Sequence, residues 1–266
     1  MIRRVGAHVS TAGGLLNAIK NTESIGGNCL QIFAGSPRSW ARKLYSELEA
    51  NKFKEEVAKK DLNPVFIHAL YLVNLGSDNP DLLKKSFDSL LFDLKNGDLI
   101  NCSGVVVHLG SHQGRGFESI RSQVVDQINK LIDATKTTPF LIENSAGQKG
   151  KIGTLDEITQ IFAEIKSERL KICLDTAHLF ESGIDILELD KFSLLDKVVC
   201  LHLNDSKTAF GSRNDQHANL GEGKIGLEKL KQFINHPKFA HLPVILEVPG
   251  DLGFPDARQI TIAKSL

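Results

Sequence analysis

The chain has no Cys-x-x-Cys pair, no long apolar run and no excess of charge of either sign. Each absence removes a class of protein. The four cysteines, Cys29, Cys102, Cys173 and Cys200, are scattered. Three lie in or beside apolar runs, so they read as buried free thiols of a reducing compartment rather than a disulfide framework. No apolar stretch approaches the roughly 20 residues of a membrane span. The opening Met-Ile-Arg-Arg leads into strand-like sequence without the apolar core of a secretory signal, so a cytoplasmic protein with no membrane partner is expected. Lysine plus arginine number 32 and aspartate plus glutamate also 32, for a formal charge of zero. That argues against a general polycation, while a local basic groove for nucleic acid remains compatible with it. Linker-like and low-complexity stretches are missing too, so residues 1–266 read as one domain.

What is present is a core-forming composition, 41% apolar and 24% charged. Strand-like runs and helix-like segments alternate throughout. Strands are expected at 4–9, 29–33, 65–68, 105–109, 140–143, 172–176, 198–203 and 244–248. Helices are expected at 15–25, 48–60, 82–94, 117–134, 155–165 and 227–234, with room for a short closing helix. The strands are near-continuous apolar runs, the mark of a parallel sheet covered on both faces. Eight such strands alternating with helices predict a (β/α)8 TIM barrel, with a doubly wound open sheet as the other arrangement to weigh.

The polar residues fall in a pattern. The third to eighth strands end in, or run into, His68, His108, Glu143, Asp175 with His178, His202, and Glu247. The segment from Val198 to Gly223 adds Asp215-x-His217 in the loop after the seventh strand. In a barrel all of these lie on the C-terminal rim, where active sites are built. A single histidine at a strand end is usually a hydrogen-bonded structural residue, and a single glutamate a cap or an ion-pair partner. Six strands in a row delivering such residues to one rim is a different matter. Four carboxylates buried together need compensating cations. Five imidazoles and four carboxylates suit three zinc-like ions with bridging carboxylates. Three dications outweigh four carboxylates by about two charges, which favours an anionic substrate.

These residues also carry a resemblance. GAHVSTAGGL (6–15), HALYLVNLG (68–76), HLGSH (108–112), IENSAGQ (142–148), CLDTAHLFESG (173–183), HLNDSKTAFGSRNDQHANLGEG (202–223) and ILEVPG (245–250) closely resemble the endonuclease IV family, the zinc-dependent apurinic/apyrimidinic endonucleases. The resemblance implies that His68, His108 and Glu143 hold one zinc. It implies that Glu143 bridges to a second, held with Asp175, His202 and Glu247, and that His178, Asp215 and His217 hold a third, more exposed ion. Manganese is an alternative at one site. It further implies that Arg38, Tyr71 and Leu72 enter DNA at the lesion, as a backbone-tracking cation and an apolar wedge. The bland alternative for Tyr71 and Leu72 is a loop that packs on the barrel. Leu70 stands where this motif commonly has proline, and Ser36 and Ser39 where larger polar groups are common. Trp40, the sole tryptophan, reads as packing. His8, on the same rim, reads as a hydrogen-bonding neighbour of the ligands, and His112 as a phosphate contact.

The expected activity is hydrolysis of the phosphodiester 5′ to an abasic site in duplex DNA, with cleaning of blocked 3′ ends at the same site. The expected enzyme is a monomer with three zinc ions, in which metal-activated water attacks and Glu143 orients it or accepts its proton. Two other readings use the same residues. A metal-dependent sugar isomerase or epimerase would need only one or two ions, and a non-catalytic lesion-binding protein would not cleave.

Overall fold

Eight short parallel strands close on themselves, and their register decides which side chains meet. The computed structural model describes residues 3–37, 39–41, 43–251 and 255–266. The barrel strands are β1 (Val5–His8), β2 (Leu30–Phe33), β3 (Val65–His68), β4 (Gly104–Val107), β5 (Phe140–Glu143), β6 (Leu170–Asp175), β7 (Val198–His202) and, after a small ribbon of β8 (Asp205–Ser206) and β9 (His217–Ala218), β10 (Val244–Leu246). They pair in the order β1-β10-β7-β6-β5-β4-β3-β2 and back to β1, all in parallel. This is the (β/α)8 barrel that the alternating pattern predicts, not an open sheet.

Helices α1 (Leu15–Ser24), α2 (Glu47–Lys59), α3 (Pro80–Ile100), α4 (Phe117–Asp133), α5 (Leu155–Glu164), α6 (Thr176–Glu181), α7 (Leu227–Ile234) and α8 (Ala257–Ser265) follow the strands. Local signals set their ends. Ser46 caps α2 by accepting from the Glu49 N–H, and α2 buries Ala50, Phe53 and Val57 at helical spacing. Thr154 and Glu157 close a reciprocal capping box on α5. Helix α3 runs six residues beyond its expected end at Leu94, through an Asn-Gly pair that would ordinarily punctuate a helix. Tertiary contacts override the local signal. Asn96 is buried, accepting from Tyr45 N–H at 2.9 Å, and a Cβ at Gly97 would collide with Thr138.

Two layers inside the barrel matter for function. Cys29, Phe66, Val106, Leu141, Cys173, Cys200 and Ile245 form a buried apolar cluster of their own. Two residues further along each strand stand Gln31, His68, His108, Glu143, Asp175, His202 and Glu247. Side chains two apart on a strand share a face, so the polar ring sits directly on the apolar one. On β1 the two positions are Gly6 and His8. A Cβ at Gly6 would run into the Cys29 carbonyl, so β1 can close against β2 only through glycine. All four cysteines are buried and free. Trp40 is half-buried and packs on the outer core, as its sequence context suggested. Among the described residues, no helix is long and apolar enough to cross a membrane.

Candidate metal centre

The polar ring converges on Glu143, whose side chain is fully buried. Its Oε2 lies 3.2 Å from both His68 Nε2 and His108 Nε2. Its Oε1 lies 3.1 Å from His202 Nδ1 and 3.4 Å from His178 Nδ1. One carboxylate therefore faces two sets of imidazoles, one through each oxygen. His202 Nδ1 is also 3.4 Å from Glu247 Oε2 and 3.8 Å from Asp175 Oδ2. Nearer the mouth, Asp215 Oδ1 lies 3.3 Å from His178 Nε2 and 3.5 Å from His217 Nε2. The side chain of Asp215 is 40% exposed, so the cluster grades from a sealed interior to an open rim.

Asp175 explains the spacing of Asp-x-x-His. It ends β6 and caps the six-residue α6, accepting from the His178 N–H at 2.9 Å, which places His178 one turn away on the same face. Sequence reading passed over both α6 and the β8–β9 ribbon, because a single turn and two-residue strands leave no periodicity to detect. The ribbon pairs Ser206 with His217 and so brings His217 back over the barrel. Asn204 ties the two sides of the ring together. Its amide donates to Asp175 Oδ2 at 2.6 Å while its carbonyl oxygen accepts from the Glu247 N–H at 2.8 Å.

The electrostatics are those of a cluster in which imidazoles and carboxylates compensate each other. Burial alone would raise the Glu143 carboxyl, but His108, His202 and His178 around it hold it well below the ordinary range. Glu247 is likewise driven well below it by His202, His8 and His68, against its burial. Burial lowers His178 and His202, and the surrounding carboxylates more than reverse this, carrying both well above an ordinary histidine. His108, where burial outweighs the pull of Glu143, falls to about 4. Asp215, with burial opposed by His178, His217 and His108, falls to about 2.

The donors fit divalent transition ions. Three overlapping groups each offer ligand atoms within 4.8 Å of one another: His68, His108 and Glu143; Glu143, Asp175, His202 and Glu247; and Asp175, His178 and His217. His217 Nε2 is buried, makes no hydrogen bond and points between Asp175 and Asp215, as a ligand nitrogen awaiting a cation would. A fourth group, Cys173, Cys200 and His202, meets the same distance test. Burial pushes the Cys173 thiol well above its ordinary value, so it stays protonated, as part of the apolar floor.

The remaining sequence candidates sit as follows. Tyr71 and Leu72 are exposed, at 61% and 46%, in the loop after β3. The Tyr71 ring meets Phe33 edge-on at 5.3 Å and overhangs His68 at 5.6 Å. It borders a cavity of about 530 Å³ that is also lined by His8, His108, His178, Asp215, His217 and Glu247. Arg38 lies outside the described residues. Leu70 is buried, so its departure from the motif is absorbed by the core. His8 Nδ1 lies 3.3 Å from Glu247 Oε1, in the supporting position expected of it. His112 Nδ1 accepts from the Gly114 and Gly116 N–H groups at 3.2 and 3.1 Å and so organises a glycine turn. One residue escaped sequence reading: Gln31, fully buried on β2, touching His8, His202 and Glu247. Only its place two residues after Cys29 in an apolar strand hinted at it.

The chain matches the family of xylose isomerase-like TIM barrels over residues 19–264. It is 38% identical to a probable endonuclease 4 of Halothermothrix orenii, over 92% of this chain and 93% of that one. It is also 38% identical to a probable endonuclease 4 of Thermosipho africanus, over 93% of each chain. The crystal structure of endonuclease IV from Thermus thermophilus superposes with a TM-score of 0.87 at 35% identity, covering 98% of both chains. A D-tagatose 3-epimerase-like protein shares the fold alone, with a TM-score of 0.73 at 16% identity over 98% of this chain and 94% of that one.

Proposed function

Because this chain belongs to the endonuclease IV family, we propose that it hydrolyses the phosphodiester 5′ to an abasic site in duplex DNA at a centre of three zinc ions. The products are a 3′-hydroxyl and a 5′-deoxyribose phosphate. The observation that carries this reading is the convergence of five imidazoles and four carboxylates on a single rim, from the C-terminal ends of six barrel strands, the short helix α6, the β8–β9 ribbon and its loop. The sugar-isomerase reading asks for only one or two ions, and so for fewer donors.

In this reading His68, His108 and Glu143 hold one ion. Glu143 would also help to hold a second, together with Asp175, His202 and Glu247. His178, Asp215 and His217 hold the third, and manganese can replace zinc at one position. Such ions supply Lewis acidity, readying water for attack at neutral pH and neutralising phosphodiester charge. The chain supplies the rest. Glu143 orients the attacking water and takes its proton. Tyr71, at the edge of the cavity, and its exposed neighbour Leu72 fill the stack where the base is missing. Arg38 follows the backbone. Extruding a nucleotide costs a few kcal/mol, and least where no base must be unpaired, so intact DNA is rejected at little expense of design. Blocked 3′ ends present the same scissile group and are cleaned by the same site.

The test is strand cleavage of a duplex carrying one tetrahydrofuran abasic analogue, without added magnesium, before and after chelation. The analogue cannot undergo β-elimination, so only hydrolysis scores. Cleavage 5′ to the lesion that is lost on chelation and restored by zinc is the expected result. Intact duplex after incubation with protein verified to hold three ions would return the chain to the sugar-isomerase or lesion-binding readings.

A further inference from the structure

Metal-binding imidazoles need their proton on the nitrogen that faces away from the ion, and the partner of that nitrogen decides the tautomer. Three of the five site histidines use main-chain carbonyls. His68 Nδ1 meets Ala69 O at 2.7 Å, His178 Nδ1 meets Asn144 O at 3.0 Å and His217 Nδ1 meets Glu247 O at 3.3 Å. Each of these rings is thereby turned with Nε2 available to the centre. His202 is reversed. Its Nε2 lies 2.9 Å from Gln31 Oε1, and its Nδ1 is the atom that faces Glu143 and Glu247.

A carbonyl can only accept, but an amide can accept or donate depending on which way it is turned. Here its direction is settled by a third group. Gln31 Nε2 lies 2.7 Å from Glu247 Oε1, and a carboxylate only accepts. The amide nitrogen must therefore face Glu247, its oxygen must face His202, and His202 must carry a proton on Nε2. The same amide nitrogen lies 3.0 Å from His8 Nδ1, which closes the group on its outer side. Gln31 is fully buried on β2, which like its neighbour β1 offers the centre no donor of its own.

We propose that Gln31 is a positioning residue of the metal centre, fixing His202 as an Nδ1 ligand and holding Glu247 beside it. The proposal rests on the three-ion reading above. It predicts that one ion, the one held by Glu143, Asp175, His202 and Glu247, depends on an amide the ion never touches.

The test compares wild type with Gln31→Met, whose unbranched thioether fills similar space without a strong donor or acceptor. Zinc content is followed by elemental analysis during titration with a chelator, and the His202 ring is followed by long-range ¹H–¹⁵N NMR of the zinc-loaded protein. Wild type is expected to show a slowly exchanging proton on His202 Nε2. In Gln31→Met that signal is lost and one zinc per chain leaves at about 10- to 100-fold lower chelator strength, the other two being retained. Gln31→Leu serves if the Met variant does not fold, as judged by its circular dichroism melt. Equal retention of all three ions in a folded variant, or an unchanged Nε2 proton, would overturn the role of Gln31 alone. Wild-type protein that takes up no zinc would overturn the centre itself, and this proposal with it.

Discussion

Glu143 is the residue whose replacement separates chemistry from architecture most cleanly. It is buried at the end of β5 with four imidazole nitrogens at 3.1–3.4 Å. Glu143→Gln keeps the shape and removes the charge that the proposed mechanism uses twice, as a bridge and as a proton acceptor. Cleavage of the tetrahydrofuran duplex is expected to fall by on the order of 10³-fold with an unchanged circular dichroism spectrum. Normal turnover would remove Glu143 from the reaction. A second carboxylate, far from the site, predicts a pH effect. Burial raises Asp98, but the N–H groups of Lys136, Thr137 and Thr138 and the Thr138 hydroxyl outweigh that and bring it to about 2. A depressed carboxylate stabilises above its ordinary value and loses that contribution as pH falls through the folded one, here between about pH 4 and pH 2. Asp98→Asn should lose about 1 kcal/mol at neutral pH, after discounting for solvent exposure, and the gap from wild type should close across that window. Urea unfolding at stepped pH, with chelator in both samples, measures it.

At the element scale, the ribbon of β8 and β9 and the loop that follows it show how irregular backbone is held in place. Asp205 is fully buried, and its two oxygens accept from the N–H groups of Gly221, Gly223, Ile225 and Gly226. A Cβ at Gly223 would collide with the Asp205 carboxylate, so the glycines of Leu-Gly-Glu-Gly let the backbone wrap an anion. Asp205→Ala should cost roughly 3 kcal/mol, because several buried donors lose a charged acceptor. It should also loosen the ribbon that holds His217, so that thermal melts and zinc retention fall together. At the loop after β3, Tyr71→Ala should weaken binding to abasic duplex about 10-fold, the scale of one lost stacking contact, with little change in kcat. Binding that is unchanged by fluorescence anisotropy would remove Tyr71 from the interface. The elements differ in how legible they were. Apolar patterning marked β3, β5 and α7 to the residue, because tertiary contacts there agree with local preference. Helix α3 outran its signal because Asn96 and Gly97 meet residues distant in sequence, whereas α6 and the ribbon were too short to leave one. The residues clustered on the rim could be read because most of them stand at or just past strand ends. Gln31 could not, because an amide in an apolar run looks like a tolerated core residue until its three partners are seen.

For the molecule as a whole, metal is expected to be part of the folding free energy. An ion held at a hundred times its Kd contributes roughly 3 kcal/mol, so chelation should lower Tm by about 5–10 °C per ion lost in a chain of this size. Scanning calorimetry before and after chelation checks this, and unchanged melting would mean that the donors hold no ion in solution. The formal charge of zero and the fold class were open to reading from composition and alternation alone, because eight apolar runs bury a barrel by the same rule everywhere. The closure of that barrel has a consequence in time. Strand β1 is seated between β2 and β10, and Glu247 arrives just after β10, some 180 residues after His68. During synthesis the donors accumulate one strand at a time, but the ring stays open until nearly the end of the chain has emerged. A product that stops short of Val244 therefore lacks both the strand that closes the barrel and the last carboxylate of the ring, so closure and completion of the site come in the same step of synthesis.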